Sequence, residues 1–233
     1  MLVFKLIHGH LFYDGLAATI PEGIAQGSVV AILVIAIVIA IPRRGIIFGI
    51  GKHSARDVVH FVKKYHGYLM SFGTVLNFHY HPVSHRNASW TLLLETWVFI
   101  HGTLTAIIQP GIGWQIFSYG FAIMFLLNQV YQTQICQSKM IMTVAHTVFA
   151  FSMYLGFKND KAYYRATFIP VTEYACVYFV LGVGSLALYT IQCTNSSLLK
   201  LFVTLSASAL VSIALTAGLA YVLAGNLVVY NDY

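Results

Sequence analysis

Charge is what this sequence has least of. Only 9% of its 233 residues are Asp, Glu, Lys or Arg, where an ordinary soluble domain carries about 25%. So few charges cannot cover a soluble fold of this length, which excludes a soluble globular protein. With 58% hydrophobic residues and a mean hydropathy of +0.75, the chain reads as an integral α-helical membrane protein.

Cysteine is also scarce. The three present include no CxxC pair, which excludes a disulfide scaffold. Basic residues outnumber acidic ones, giving a net charge of +6. They form no tract with interleaved aromatics, so nucleic acid is not a partner. Walker A, GxSxG, HExxH and CxxCH motifs are missing. No span holds a mid-helix lysine, since Lys200 sits at the mouth of the last one; a retinal Schiff base is therefore not expected. No internal repeat appears, and one polytopic domain fills residues 1–233.

What is present is a series of long apolar runs. Residues 1–22 form an interfacial lead-in, broken by His8, His10 and Asp14 before a signal-peptide core is complete, and are not expected to be cleaved. Spans are expected at about 23–42, 65–81, 90–109, 114–131, 139–157, 167–192 and 199–224. The first is apolar all round, which suits lipid contact, and Pro42-Arg43-Arg44 stops it. The second and fourth are marginal. The expectation is thus an all-α bundle of about seven transmembrane helices.

Alternate loops differ in charge. Arg43, Arg44, Lys52, Arg56, Lys63, Lys64, Lys158, Lys161 and Arg165 fall on one side; Lys5, Arg86, Lys139 and Lys200 fall on the other. The positive-inside bias puts the first set in the cytoplasm, the N-terminus outside and the C-terminus inside. N-x-S/T sequons at Asn87 and Asn195, and Cys136 and Cys193, then lie outside. Those two cysteines either pair or remain free, according to the redox state of that compartment.

The candidate chemistry gathers between His60 and His101. Thr91, Glu95, Gly102, Thr105 and Gln109 share one helical face, with His101 at its edge. A glutamate inside a span costs on the order of 2.5–3.5 kcal/mol on insertion scales, so Glu95 should face protein or water. The preceding span has a matching stripe of His66, Met70, Gly73, Asn77 and His81. His101 and His146 sit at depths differing by only about 5 Å at 1.5 Å per residue. Each is either a satisfied core histidine or half of a site for haem b, a transition metal or a proton. His79, His81 and His85 have metal-ligand spacing, yet equally mark a membrane boundary. Asn128 adds to this polar set. Glu173, near Lys161 and Arg165 in sequence, either forms a local ion pair or belongs to it.

The last span is crowded with small residues, among them the pairs Ser208/Ser212 and Ala214/Gly218. Such pairs let helix backbones approach closely, either within the chain or against a second copy or membrane-complex partner through the face of 199–224.

Gly9-His10, His66 with Met70, and His101-Gly102-Thr103 resemble motifs of the transmembrane-protein-forty-five family. The His66 region is also similar to the haem-ligating helices of cytochrome b561. These likenesses cover about a third of the chain. The first implies a seven-span plan; the second implies haem. The function expected is transport or channel-like, or that of an integral subunit of a larger membrane complex, around Glu95, His101 and His146. The alternative is a haem- or metal-binding membrane oxidoreductase using His101 and His146, with His66.

Overall fold

A computed structural model describes residues 22–65, 88–108, 111 and 113–218. Among these the chain is mostly helical and contains no strand. Helix α1 is Glu22–Arg44, and residues 56–65 form α2. Helices α3 (Ala88–Ile108) and α4 (Gly113–Leu127) follow. Two single turns of 3-10 helix, Gln129–Gln132 and Gln134–Gln137, lead into α5 (Lys139–Phe157). A third 3-10 segment, Tyr163–Thr167, precedes α6 (Phe168–Cys193). Last comes α7 (Ser197–Ile213), whose helix continues as the π-turn Ala214–Gly218. Ser138 and Ser196 cap α5 and α7, their hydroxyls accepting from the amides of Ile141 and Leu199.

Among the described residues two stretches are long and apolar enough to cross a membrane, Lys139–Phe157 and Tyr163–Cys193. In α5 only Phe157 is buried, while Ile141, Val144, Val148, Phe151 and Leu155 are exposed. Helix α3 has the reverse of a soluble amphipathic pattern. Its polar Thr91 and Glu95 are buried, whereas Leu93, Trp97, Leu104 and Ile107 are exposed, Trp97 at 63%. In water this face would be a large unshielded apolar patch; in lipid it is ordinary surface.

The chain divides into two compact units. One comprises residues 40–54 and 86–175. Here α4 is central, packing on α3, on α5 and on the 3-10 turn Tyr163–Thr167. Tyr119, Phe157, Ala162 and Ala166 form a core, covered by Trp114, Ile123, Phe149 and Met153. Tyr119 donates its hydroxyl hydrogen to Ser152 O at 2.8 Å, so the ring is buried without stranding its polar end. The other unit comprises residues 1–39, 55–85 and 176–233. In it α2 turns Val58, Val59 and Val62 inward, and α6 closes on it so tightly that a Cβ on Gly184 would lie 2.8 Å from Val58.

One expectation changes here. The apolar surface of the first helix suits lipid contact, yet Leu33, Val34 and Ile37 through Ile41 are buried. An all-round apolar helix satisfies either environment, and packing decides which. The helix ends at Arg44, the last residue of the run Pro42-Arg43-Arg44, and Gly45 N donates to Ile41 O at 2.8 Å just beyond it.

Candidate functional site

The end of α1 carries the least expected residue of the chain. Gly45 takes φ +75° and so ends the helix in the left-handed conformation that glycine tolerates. A Cβ there would strike the backbone of Gly49 and Ile50. This tight turn leaves Arg44 as the last helical residue, with its side chain 0% exposed.

Arg44 meets Glu95 of α3. Its Nη1 donates to Oε1 at 2.9 Å, and its Nη2 lies 2.9 Å from Oε2. The second contact is an ion pair without hydrogen-bond alignment. Nη1 also donates to Asn128 Oδ1 at 3.0 Å, which commits both of its hydrogens. Asn128 stands just past the end of α4 and is itself fully buried. Its Nδ2 donates to Ile46 O at 2.8 Å and to Gly45 O at 3.3 Å. Donor and acceptor ends of the amide are thereby distinguished by their partners. Tyr174 of α6 completes the frame, its hydroxyl donating to the same Ile46 O at 3.0 Å.

The loop after α1 serves α4 as well. Phe48 N donates to Leu127 O at 2.8 Å, satisfying a carbonyl that the helix end leaves without a partner. Glu173, 3% exposed, precedes Tyr174, whose hydroxyl shares the Ile46 carbonyl with Asn128. The centre therefore joins a guanidinium, a paired carboxylate and a buried amide, with a second buried carboxyl next in sequence to the tyrosine of its frame. A buried pair of this kind gains about as much from attraction as it loses in desolvation, and apolar residues often serve stability as well. Stability alone does not account for it.

Of the residues singled out in the sequence, Glu95 and Asn128 are brought together, through Arg44, with Glu173 nearby. His146 is not among them. It lies on the exposed side of α5, its Nδ1–H donating to Met142 O at 2.7 Å. His101 falls in α3, where the structure describes its backbone alone. His66, Asn77, His79, His81 and His85 lie outside the described residues, as do Gly9, His10 and Met70. Among the described residues no group of three or more His, Cys, Asp or Glu is arranged to hold a metal ion. Cys136 and Cys193 are free thiols.

Arg44 was missed in the sequence because it was assigned to the basic loop that ends the span. Two signals could have found it. A glutamate inside an apolar helix needs a cation, and Arg44 follows the first apolar run without a gap. Tyr174 gave no such signal.

Arg165 also departs from expectation. It pairs with Asp160 rather than Glu173, Nη1 donating to Oδ2 at 2.6 Å and to Gln115 Oε1 at 2.6 Å. Gln115 Nε2 in turn donates to Asp160 Oδ2 at 2.9 Å, and Ala162 N donates to Oδ1 at 3.1 Å. These donors, Gln115 foremost, hold the Asp160 carboxyl below the usual carboxylate range. The local turn is the cause: the five residues between α5 and the 3-10 segment bring Asp160 over Gln115 before Glu173 is reached.

No family model matches this chain, and no curated protein or solved structure is similar to it.

Proposed function

We propose that the chain is a multi-pass membrane transport protein whose working centre is Arg44, Glu95, Asn128 and Glu173, and that its transported or coupling species is a proton. The observation that carries this reading is the buried Arg44–Glu95 pair, with the buried carboxyl of Glu173 next to Tyr174 of the same frame. Ionisable groups inside a membrane are expensive and mark ion or proton paths. One guanidinium already committed to one carboxylate leaves a second carboxyl to take up and release a proton as the balance of the centre changes.

Inverted α3 and lipid-suited α5 support the multi-pass plan. The charge count of the loops gives no common side to the basic loops, because Gln115 at the start of α4 holds Asp160 and Arg165 whereas Phe48 N bonds Leu127 O at its end, so the loops after α1 and α5 meet opposite ends of one helix. The likeness to the transmembrane-protein-forty-five family agrees with this plan.

The test is reconstitution into liposomes enclosing a pH-sensitive dye, with a potassium diffusion potential as driving force. Wild-type protein is expected to admit protons, and Glu173→Gln to stop them while eluting as a folded species. Proteoliposomes as tight as empty ones would remove the transport reading. The same purified protein is expected to lack a Soret band. A Soret band lost in His101→Ala and His146→Ala would instead establish the haem oxidoreductase.

A second reading, an integral subunit of a membrane complex, is favoured by α7, where Leu198, Leu201, Phe202, Leu205 and Ile213 are all exposed. Co-purification of stoichiometric partners after crosslinking in the native membrane tests it.

A further inference from the structure

Two loops from distant parts of the chain meet at the end of α4. Phe48 N donates to Leu127 O at 2.8 Å, and the Phe48 ring meets Tyr131 edge-on with centroids 6.4 Å apart. Gly49 passes the same ring so closely that a Cβ there would lie 2.9 Å from it. Within the first loop, Ile46 N donates to Ile50 O at 2.7 Å and Ile50 N to Ile47 O at 2.9 Å. These contacts hold Phe48 at φ +51°, a left-handed conformation that a bulky residue keeps only when its surroundings impose it. The outcome is a fixed protrusion. Phe48 is 48% and Ile50 69% exposed, and Lys52 and His53 follow them, also exposed.

The second loop says which medium receives those side chains. Tyr131 belongs to the 3-10 turn Gln129–Gln132, and α5 begins shortly after it at Lys139. Helix α5 is long and apolar enough to cross a membrane, and Phe157 is its only buried residue. Its first residue therefore stands at a membrane boundary. The start of α3 lies at the same level, Ala88 O accepting from Gln132 Nε2 at 2.9 Å. Phe48 and Ile50, fixed against this turn, are placed where hydrocarbon gives way to headgroups.

Charge gives the kind of headgroup. Residues 45–54 and 128–139 contain no Asp or Glu, whereas Lys52 and Lys139 are both exposed. Arg44, next to the first loop, is already balanced by Glu95 and adds nothing to this surface. An apolar tip beside uncompensated cations is the pattern of a segment that lies in an anionic lipid surface. We infer that residues 45–54 form an interfacial anchor. Phe48 and Ile50 enter the edge of the hydrocarbon layer, and Lys52 binds the phosphate of an anionic phospholipid beside them. The inference rests on the membrane reading given above, though not on proton transport.

A tryptophan placed at the tip tests it on the full chain, reconstituted into bilayers containing brominated phospholipid. Phe48→Trp and Ile50→Trp are each read as the difference from wild type, whose three tryptophans are common to both. Two variants guard against one failing to fold, and gel filtration checks each. The added tryptophan is expected to be quenched by lipid brominated on the upper acyl chain and to be protected from aqueous iodide. In mixed bilayers brominated phosphatidylglycerol should quench it in preference to brominated phosphatidylcholine. Lys52→Gln, added to Ile50→Trp, should lower that preference by up to about fivefold, the effect of one lysine near an anionic surface.

Quenching by iodide instead of lipid in both variants would put the loop in water and overturn the inference. Protection from both quenchers would assign the tip to a protein partner and overturn it as well. So would equal quenching by the two lipids, or a preference that Lys52→Gln leaves unchanged. Release of the chain from membranes by alkaline carbonate would overturn the membrane reading itself and the anchor with it. Lipid quenching in proteoliposomes that pass no protons would leave the anchor standing and remove only transport.

Discussion

Arg44 and Glu95, 51 positions apart, meet with Nη1 2.9 Å from Oε1 and Nη2 2.9 Å from Oε2, the arginine without any exposed surface. Removing one member of a buried pair leaves the other charge unpaired, which costs about 3–5 kcal/mol; replacing both by apolar residues is often neutral. Arg44→Met alone is therefore expected to lower the thermal midpoint in detergent strongly. Arg44→Met with Glu95→Leu should recover most of the loss. The recovery will fall short by the cost of the acceptor left idle on Asn128, about 1–3 kcal/mol. A double variant as unstable as the single one would mean that the two residues are not energetically coupled.

Ile46 O accepts from two donors, Asn128 Nδ2 and the Tyr174 hydroxyl. Tyr174→Phe removes one of them and leaves the carbonyl satisfied, so the expected loss is about 0.5–1.5 kcal/mol. Asn128→Ala removes the bonds to Arg44, Gly45 and Ile46 together and strands a guanidinium hydrogen. It should cost clearly more. Denaturant titration of both variants ranks them, and the reverse order would show that the loop after α1 is held by α6 rather than by Asn128.

How much of this was legible beforehand can be seen in α3. The sequence placed Thr91 and Glu95 on one polar face and required that face to turn inward, and both residues are buried. For Glu95 that was legible because the cost of placing a charge among apolar surroundings acts on a single residue. The partner is another matter. Which cation reaches Glu95 depends on whether α1 stops at Pro42 or runs on to Arg44, and on the left-handed turn at Gly45 that follows. No periodicity encodes that. Likewise the reading of α1 as lipid-facing failed because its sequence, apolar on every side, holds no directional information. Glu173 and Arg165 were near enough in sequence to pair. The intervening turn instead offered Arg165 the closer Asp160.

Asp160 provides a pH test outside the apolar helices. Its folded-state value is depressed, by the hydrogen bonds from Gln115 and Ala162 and by the charge and hydrogen bond of Arg165. A depressed carboxyl stabilises the fold above its unfolded value of about 3.9 and loses that contribution as pH falls through the lower folded value. The segment 158–165 is therefore expected to become more susceptible to proteolysis below about pH 4. Asp160→Asn should remove this acid dependence while raising cleavage at neutral pH. An acid dependence unchanged in Asp160→Asn would assign it to another group.

Val148 lies at the middle of α5 and is 61% exposed. The nature of the surrounding medium can be tested at that residue. On a water-facing helix surface, a substitution away from special contacts usually shifts stability by no more than about 0.5 kcal/mol. At the centre of a membrane span an arginine costs about 2.5–3.5 kcal/mol on insertion scales. Val148→Arg is accordingly expected to reduce membrane insertion of residues 139–157 severely, measured with glycosylation acceptors placed on either side. Lys139→Arg, at the end of the same helix, should be silent. If Val148→Arg inserted as wild type does, α5 would not cross the bilayer, and its exposed Val144, Val148 and Phe151 would have to be covered by protein.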